Sequence, residues 1–255
     1  MSGLPAGWIL PQWEGPPHVR ALFTTRAGGV STGAAASMDV GTAFPEAADL
    51  AGAIGENRRR LRAYLAADPI WLSQVHGREV VQVTADNAAA LRAAPPQADA
   101  AVTHERGVVI TVRTADCLPV LLADRAGSVV AVAHAGWRGL AAGVLEATVA
   151  AMAVPPADVV AWLGPAIGPR AFEVGADVHA AYCAGDAAYA AFFTPLREGK
   201  WLADLPGLAR HRLACLGMKA AGGGWCTHTD AERFFSWRRD KASGRMALAA
   251  WLADQ

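Results

Sequence analysis

The chain has 255 residues, enough to bury a sizeable core as one large domain or two small ones. It carries 23 basic and 23 acidic side chains, and a net charge of zero gives no electrostatic case for DNA, RNA or an anionic membrane. Four cysteines without a Cys-x-x-Cys exclude a disulfide scaffold, and no apolar run approaches the roughly 20 residues that span a bilayer. The amino terminus lacks a basic segment followed by an apolar one, so the expectation is a cytoplasmic protein with reduced thiols.

Residues 1–20 hold four prolines and two tryptophans and read as an irregular arm. Residues 21–25 are a strand by composition. They lead into Arg26-Ala-Gly-Gly-Val-Ser-Thr-Gly, a glycine-rich loop able to offer backbone N–H groups to an anion, with Arg26 adding charge. The loop lacks the spacing of a P-loop or a dinucleotide fingerprint. Residues 47–65 have helical spacing, with Leu50, Ile54, Leu61 and Leu65 on one face and Arg58 in a charged run. Asp68-Pro69 ends that helix. Residues 70–72 and 79–83 read as strands, and His76-Gly77 falls between them.

A short helix over 87–94 and strands over 97–103 and 108–112 follow. The stretch 114–139 comes next. Its two apolar runs, 118–123 and 129–133, flank Asp-Arg-Ala-Gly-Ser, and the pattern predicts a buried hairpin. Cys117 stands before the first run and His134 after the second, so antiparallel pairing brings a thiol and an imidazole to one end of a sheet. A helix is predicted over 140–152, with Trp137-Arg138-Gly139 at its amino end. A buried strand at 159–163 runs into two Gly-Pro turns. Helices over 177–182 and 204–218 and a closing strand after Arg245 complete an α/β chain with a mixed sheet, read as one domain over 1–255.

Three ligand types that suit zinc, His76, Cys117 and His134, thus fall near strand ends. Three protein ligands leave one tetrahedral position open, the mark of a catalytic metal site. The same residues suit a thiol nucleophile, with His134 as base and Asp116, Asp99 or His76 as orienter. They also suit copper, although no methionine is placed as an axial ligand.

Several ordered motifs make the chain specific: Phe-Thr-Thr-Arg-Ala-Gly-Gly-Val-Ser at 23–31, Ser-Gln-Val-His-Gly at 73–77, Thr-Ala-Asp-Cys-Leu-Pro-Val at 114–120, Ala-His-Ala-Gly-Trp-Arg-Gly at 133–139, Gly-Pro-Ala-Ile-Gly-Pro at 164–169, Phe-Phe-Ser-Trp-Arg-Arg-Asp at 234–240 and Ser-Gly-Arg-Met-Ala at 243–247. Together they closely resemble the YfiH family, also called the laccase-domain or multicopper polyphenol oxidase family. The resemblance implies an α/β sandwich of the type grouped with bacterial toxin cysteine hydrolases. It implies catalytic zinc on His76, Cys117 and His134, phosphorolysis of adenosine, inosine, guanosine and S-methyl-5′-thioadenosine, and deamination of adenosine. The partners are then purine nucleosides and phosphate. A polyphenol oxidase fits less well: the chain has only seven histidines and no His-x-His, whereas several coppers need close-set pairs. A cytoplasmic amidase acting on peptidoglycan-precursor peptides through Cys117 or zinc is a further alternative.

Arg26 is the first candidate for the oxyanion, ahead of Arg58 and Arg238, and Gln74 joins them as a substrate-binding candidate. Asp116 is the candidate for acid–base or supporting duty beside Cys117. The family usually reads Ser-Leu-Asn-Leu-Gly where this chain has Ser37-Met38-Asp39-Val40-Gly41. Asp39 would accept from ribose hydroxyls, but it would repel phosphate.

Overall fold

The computed structural model describes residues 3–41 and 48–254. In chain order the elements are β1 (Val19–Phe23), α1 (Ala48–Arg62), β2 (Val80–Gln82), α2 (Ala85–Ala93), β3 (Ala100–Thr103), β4 (Ile110–Thr114), β5 (Leu118–Asp124) and β6 (Val130–Ala135). There follow α3 (Trp137–Ala142), α4 (Val144–Ala151), β7 (Val159–Leu163), β8 (Glu173–Gly175), α5 (Ala176–Cys183), β9 (Phe193–Arg197), β10 (Lys200–Ala203), α6 (Leu205–Cys215), β11 (Ala220–Gly222), α7 (Trp237–Asp240) and β12 (Met246–Leu252). No helix among the described residues is long and apolar enough to cross a membrane.

A mixed six-stranded sheet, ordered β11-β7-β5-β6-β3-β2, lies against an antiparallel three-stranded sheet ordered β1-β12-β4. The period-2 alternation of each strand decides which layer each side chain enters. Leu118, Val120 and Leu122 of β5 and Ala131 and Ala133 of β6 join Leu140, Leu145, Val149, Leu208 and Leu213 from the helices on one face. Leu121, Ala123, Val130 and Val132 point the other way, onto Phe23, Ile110, Val112, Leu248 and Ala250 between the sheets. The outer face of the smaller sheet, through Leu22, Ala247, Ala249 and Trp251, is covered by Met38, Val40, Leu61 and Leu65. The result is an α/β/β/α stack in which β5 and β6 are buried on both faces. That is why their sequences are continuously apolar rather than alternating.

The hairpin expected over 118–133 is present, with Leu118 opposite Ala135 and Pro119 opposite His134. Its turn is fixed by Asp124, whose carboxylate accepts from the Ser128 amide and hydroxyl and from the Val129 amide. The helix over 47–65 is present as α1, although Ala47 and the Leu50 side chain lie outside the described residues. Two expectations need correction. The helix read over 140–152 begins at Trp137 and is two helices, because Gly143 takes a left-handed φ of 94° and breaks the run. Residues 70–72 make only isolated bridges, Ile70 to Ile110 and, one residue on, Ser73 to Gln97, so this stretch laces the two sheets together without forming a strand. The small sheet ordered β8-β10-β9 escapes the sequence reading, since β9 is interrupted by Pro195 and mostly exposed.

Candidate metal centre and its cleft

His134 is the penultimate residue of β6, on the face directed between the sheets, and Cys117 immediately precedes β5. Hairpin pairing brings their chain segments together. His76 comes from the irregular 73–79 segment, held in place by Asp99 just ahead of β3. The fully buried Asp99 carboxylate accepts from three successive amides, Val75 at 3.1 Å, His76 at 3.0 Å and Gly77 at 2.7 Å. These bonds hold His76 at a left-handed φ of 61°, a conformation that costs a non-glycine residue about 1–3 kcal/mol. Asp99 also lies 2.7 Å from His134 Nδ1. With the Nδ1 proton directed at that carboxylate, Nε2 is left as the ligating nitrogen, the usual arrangement behind a metal-bound imidazole.

The ligand atoms of His76, Cys117 and His134 all lie within 4.8 Å of one another, with His76 Nε2 3.7 Å from Cys117 Sγ. Burial acts to raise the Cys117 pKa, but His134 and His76 outweigh it and bring the thiol down to about 6. Burial likewise opposes protonation of His134, and the neighbouring Cys117 and Asp99 overcome it. Asp99 is held below the ordinary carboxylate range because His134 and the amides of Gly77 and Val75 exceed its own burial effect. A preformed thiolate between two imidazoles, with a carboxylate behind one of them, fits a divalent metal with three protein ligands and one open position.

Two glycines of the Ala-Gly-Trp-Arg-Gly run allow this approach. A Cβ on Gly136 would lie 2.8 Å from His76 Cδ2 and 3.0 Å from Cys117 Sγ. A Cβ on Gly139 would lie 2.5 Å from the Gly77 carbonyl oxygen. Gly139→Ala is therefore expected to displace the 76–77 segment while leaving the sheets intact. The strain is about 1–3 kcal/mol, roughly a ten- to hundredfold loss if it falls on metal affinity. Metal titration beside far-ultraviolet circular dichroism checks this; wild-type metal affinity in the variant would contradict the packing argument.

The cluster sits in a cleft of about 690 Å³ whose walls include Gln74, Arg113, Asp116, Trp237, Arg238 and Arg245. Gln74 bonds the Arg113 main chain in both directions, its amide donating to the carbonyl and its oxygen accepting from the N–H, each at 2.9 Å. Asp116, with a left-handed φ of 86°, accepts from the Thr227 hydroxyl and the Arg238 amide, both at 2.6 Å. It is the one carboxylate among the residues lining the cleft. Arg238 also donates to the Glu173 carbonyl and lies over the Phe172 ring.

Other candidates lie elsewhere. Arg26 is outside the cleft lining; its guanidinium donates to the carbonyls of Ala36 and Ala231 and lies over Phe235, so it ties the glycine loop to the tail. Arg58 donates to the Val40 carbonyl and stacks over Trp71, behind the cleft wall. Asp39 is buried behind the same wall and accepts through Oδ1 from the amides of Gly41 and Arg245. Trp137, at the amino end of α3, is part of the lining. Arg113, Arg245 and Trp237 are among the lining residues that sequence reasoning passed over. All three lay in plain view: Arg113 directly precedes the Thr-Ala-Asp-Cys motif, and the other two belong to the tail motifs.

An α/β/β/α sandwich with a His–Cys–His cluster in an arginine-lined cleft at the sheet ends defines the class. The family model described as multi-copper polyphenol oxidoreductase laccase matches residues 20–253, and the chain belongs to that family, which includes YfiH. It is 50% identical to the purine nucleoside phosphorylase YfiH of Escherichia coli, over 96% of this chain and 98% of that one. It is 49% identical to a purine nucleoside phosphorylase of Pseudomonas aeruginosa, over 97% and 99% respectively. A solved Neisseria meningitidis structure superposes with a TM-score of 0.91 at 44% identity, covering 97% of this chain and all of that one.

Proposed function

We propose that the protein is a zinc-dependent purine nucleoside phosphorylase acting on adenosine, inosine, guanosine and S-methyl-5′-thioadenosine, with adenosine deamination as a second activity. The observation that supports it most is the shared cleft: a three-ligand metal cluster and three arginines, Arg113, Arg238 and Arg245, face one volume of about 690 Å³, a common size for a small-molecule site. The relatives that carry the name purine nucleoside phosphorylase match along nearly their whole length. Zinc is preferred to copper because two imidazoles and a thiolate form a zinc-type set, and none of the lining residues is a methionine that could serve as an axial copper ligand.

In phosphorolysis a phosphate oxygen bonds to the ribose C1′ as the bond from C1′ to the purine nitrogen breaks. The base departs with that electron pair and takes up a proton. The arginines supply the positive potential that gathers phosphate beside the nucleoside. Trp237, half exposed at the cleft, and Phe172 offer aromatic surfaces to the purine. Asp116, as the cleft's carboxylate, holds Thr227 and Arg238 in place and is our candidate for handling the proton. Bound zinc supplies Lewis acidity and, for deamination, the means to activate water.

A second reading has its own support. The lowered thiol pKa of Cys117, with His134 beside it and Asp99 behind, also matches a thiol hydrolase such as a peptidoglycan-precursor amidase. Purified protein incubated with adenosine, with and without phosphate, decides between them. Adenine and ribose-1-phosphate are expected only with phosphate, and inosine reports deamination. Neither product, at one zinc per chain, would sink the nucleoside reading.

A further inference from the structure

Arg113 and Arg245 are fixed by neutral groups. The buried Arg113 guanidinium donates to the main-chain carbonyls of Gly41 and Leu72, and Arg245 donates to those of Ser243 and Gly244. Carbonyls orient a guanidinium without cancelling its charge. Neither arginine belongs to an ion pair among the described residues. Strand pairing sets the two side by side: Met246 lies opposite Thr114, which brings Arg245 next to the Arg113-Thr114 end of β4. Two buried polar atoms here, Arg113 Nε and Thr114 Oγ1, have no hydrogen-bond partner, although both residues line the cleft. Buried polar groups in native proteins are nearly always satisfied, and a water or an ion is one of the standard reasons for an exception.

Two carboxylates act on this cluster: Asp116, in the cleft wall, acts on Arg245, and Asp39, behind the wall, acts on all three arginines nearby. Asp39 accepts from the Arg245 amide at 2.7 Å and favours the charged forms of Arg58, Arg113 and Arg245 alike. Burial, with Arg58 and Arg245 nearby, still brings Arg113 down to about 9, and the three guanidinium groups of Arg58, Arg113 and Arg245 outnumber the two carboxylates, Asp39 and Asp116. Asp39 does not line the cleft, and its influence on a ligand there is through charge alone.

Building on the phosphorylase reading, we propose that Arg113 and Arg245 form the phosphate subsite of the cleft, and that Asp39 is a built-in counter-anion that weakens phosphate binding there. A dianion with several acceptor oxygens matches two fixed guanidinium groups better than a single carboxylate does. Asp39 stabilises the cations when the subsite is empty and repels the anion when it fills.

The test is calorimetric titration of inorganic phosphate into the zinc-loaded protein and its variants. Asp39→Asn keeps an amide oxygen for the Gly41 and Arg245 N–H groups, removes the charge and puts an N–H donor group in place of the second oxygen. It is expected to tighten phosphate binding about 5- to 20-fold, as the removal of one partly screened charge allows. Arg245→Gln is expected to weaken binding at least about tenfold. Unchanged phosphate affinity in Asp39→Asn overturns the counter-anion, and should Arg245→Gln misfold that variant decides alone. Unchanged affinity in a folded Arg245→Gln overturns the subsite. Both shifts without any phosphorolysis would support the subsite while removing the nucleoside reading. Phosphorolysis with neither shift would do the reverse.

Discussion

Cys117→Ala is expected to lose stoichiometric metal and to lower turnover by at least about a thousandfold, with little change in the metal-free fold. Loss of the thiolate reduces a three-ligand site to two imidazoles, and the thiolate is the only anionic ligand of the set. The fold is spared because Cys117 is partly buried at the cleft and stands outside β5, so its removal enlarges the cleft and opens no core cavity. Stability changes only through linkage: the wild type gains a higher melting temperature when metal is added, and the variant does not. Metal content by elemental analysis, melting with and without metal, and activity together separate the two roles of the thiol. A ligand loses metal and activity together. A nucleophile alone loses activity and leaves metal on the histidines. Full metal and full activity in the variant would eliminate the ligand set.

How much of this was legible in the sequence differs between the two halves of the site. The Cys117–His134 half was readable because β5 and β6 are local neighbours joined by an Asp-Gly-Ser turn, and a pair buried on both faces leaves a continuous apolar signature. His76 was legible as a candidate ligand, but its position depends on Asp99, 23 residues away, through bonds that have no periodicity to read. The arginine-lined side of the cleft was less legible still. Arg26 looked suited to the role beside its glycine loop, yet its guanidinium is occupied by the Ala231 carbonyl, 205 positions along the chain. Arg113 and Arg245 lie 132 positions apart and meet only because β12 pairs with β4. Local pattern identifies the strands but does not say which strands become neighbours, and in this protein the cleft is made by that choice. Asp39 was legible as a departure from the family pattern; its place behind the wall, with its oxygen on the Arg245 amide, was not.

Asp99→Ala is expected to be the most damaging single change at the site, because Asp99 joins fold and chemistry in one carboxylate. It is fully buried and accepts four hydrogen bonds, three from the 75–77 amides and one from His134. Each orphaned buried donor costs about 1–3 kcal/mol, but the 75–77 segment lies at the surface and can turn its amides to water. The net loss is therefore about 3–5 kcal/mol, the range for breaking a buried charged pair, rather than the full sum. Metal affinity falls further, by about 10- to 100-fold, because His134 loses the acceptor that fixes its tautomer and His76 loses the bonds that hold its left-handed backbone. Asp99→Asn separates these effects. It keeps one acceptor oxygen and nearly the same volume, so stability recovers in part, while its amide N–H groups face the donors that the carboxylate satisfied. The acid limb gives an independent check. Since the folded-state pKa lies below its unfolded value, Asp99 stabilises the fold above the ordinary carboxylate pKa, and that contribution is lost as pH falls through the depressed one. The gap in urea stability between wild type and Asp99→Asn should accordingly close only at strongly acidic pH. An Asp99→Asn protein that bound metal as tightly as wild type would show that the imidazole needs no carboxylate behind it, and the site would then rest on the hairpin and the two glycines alone.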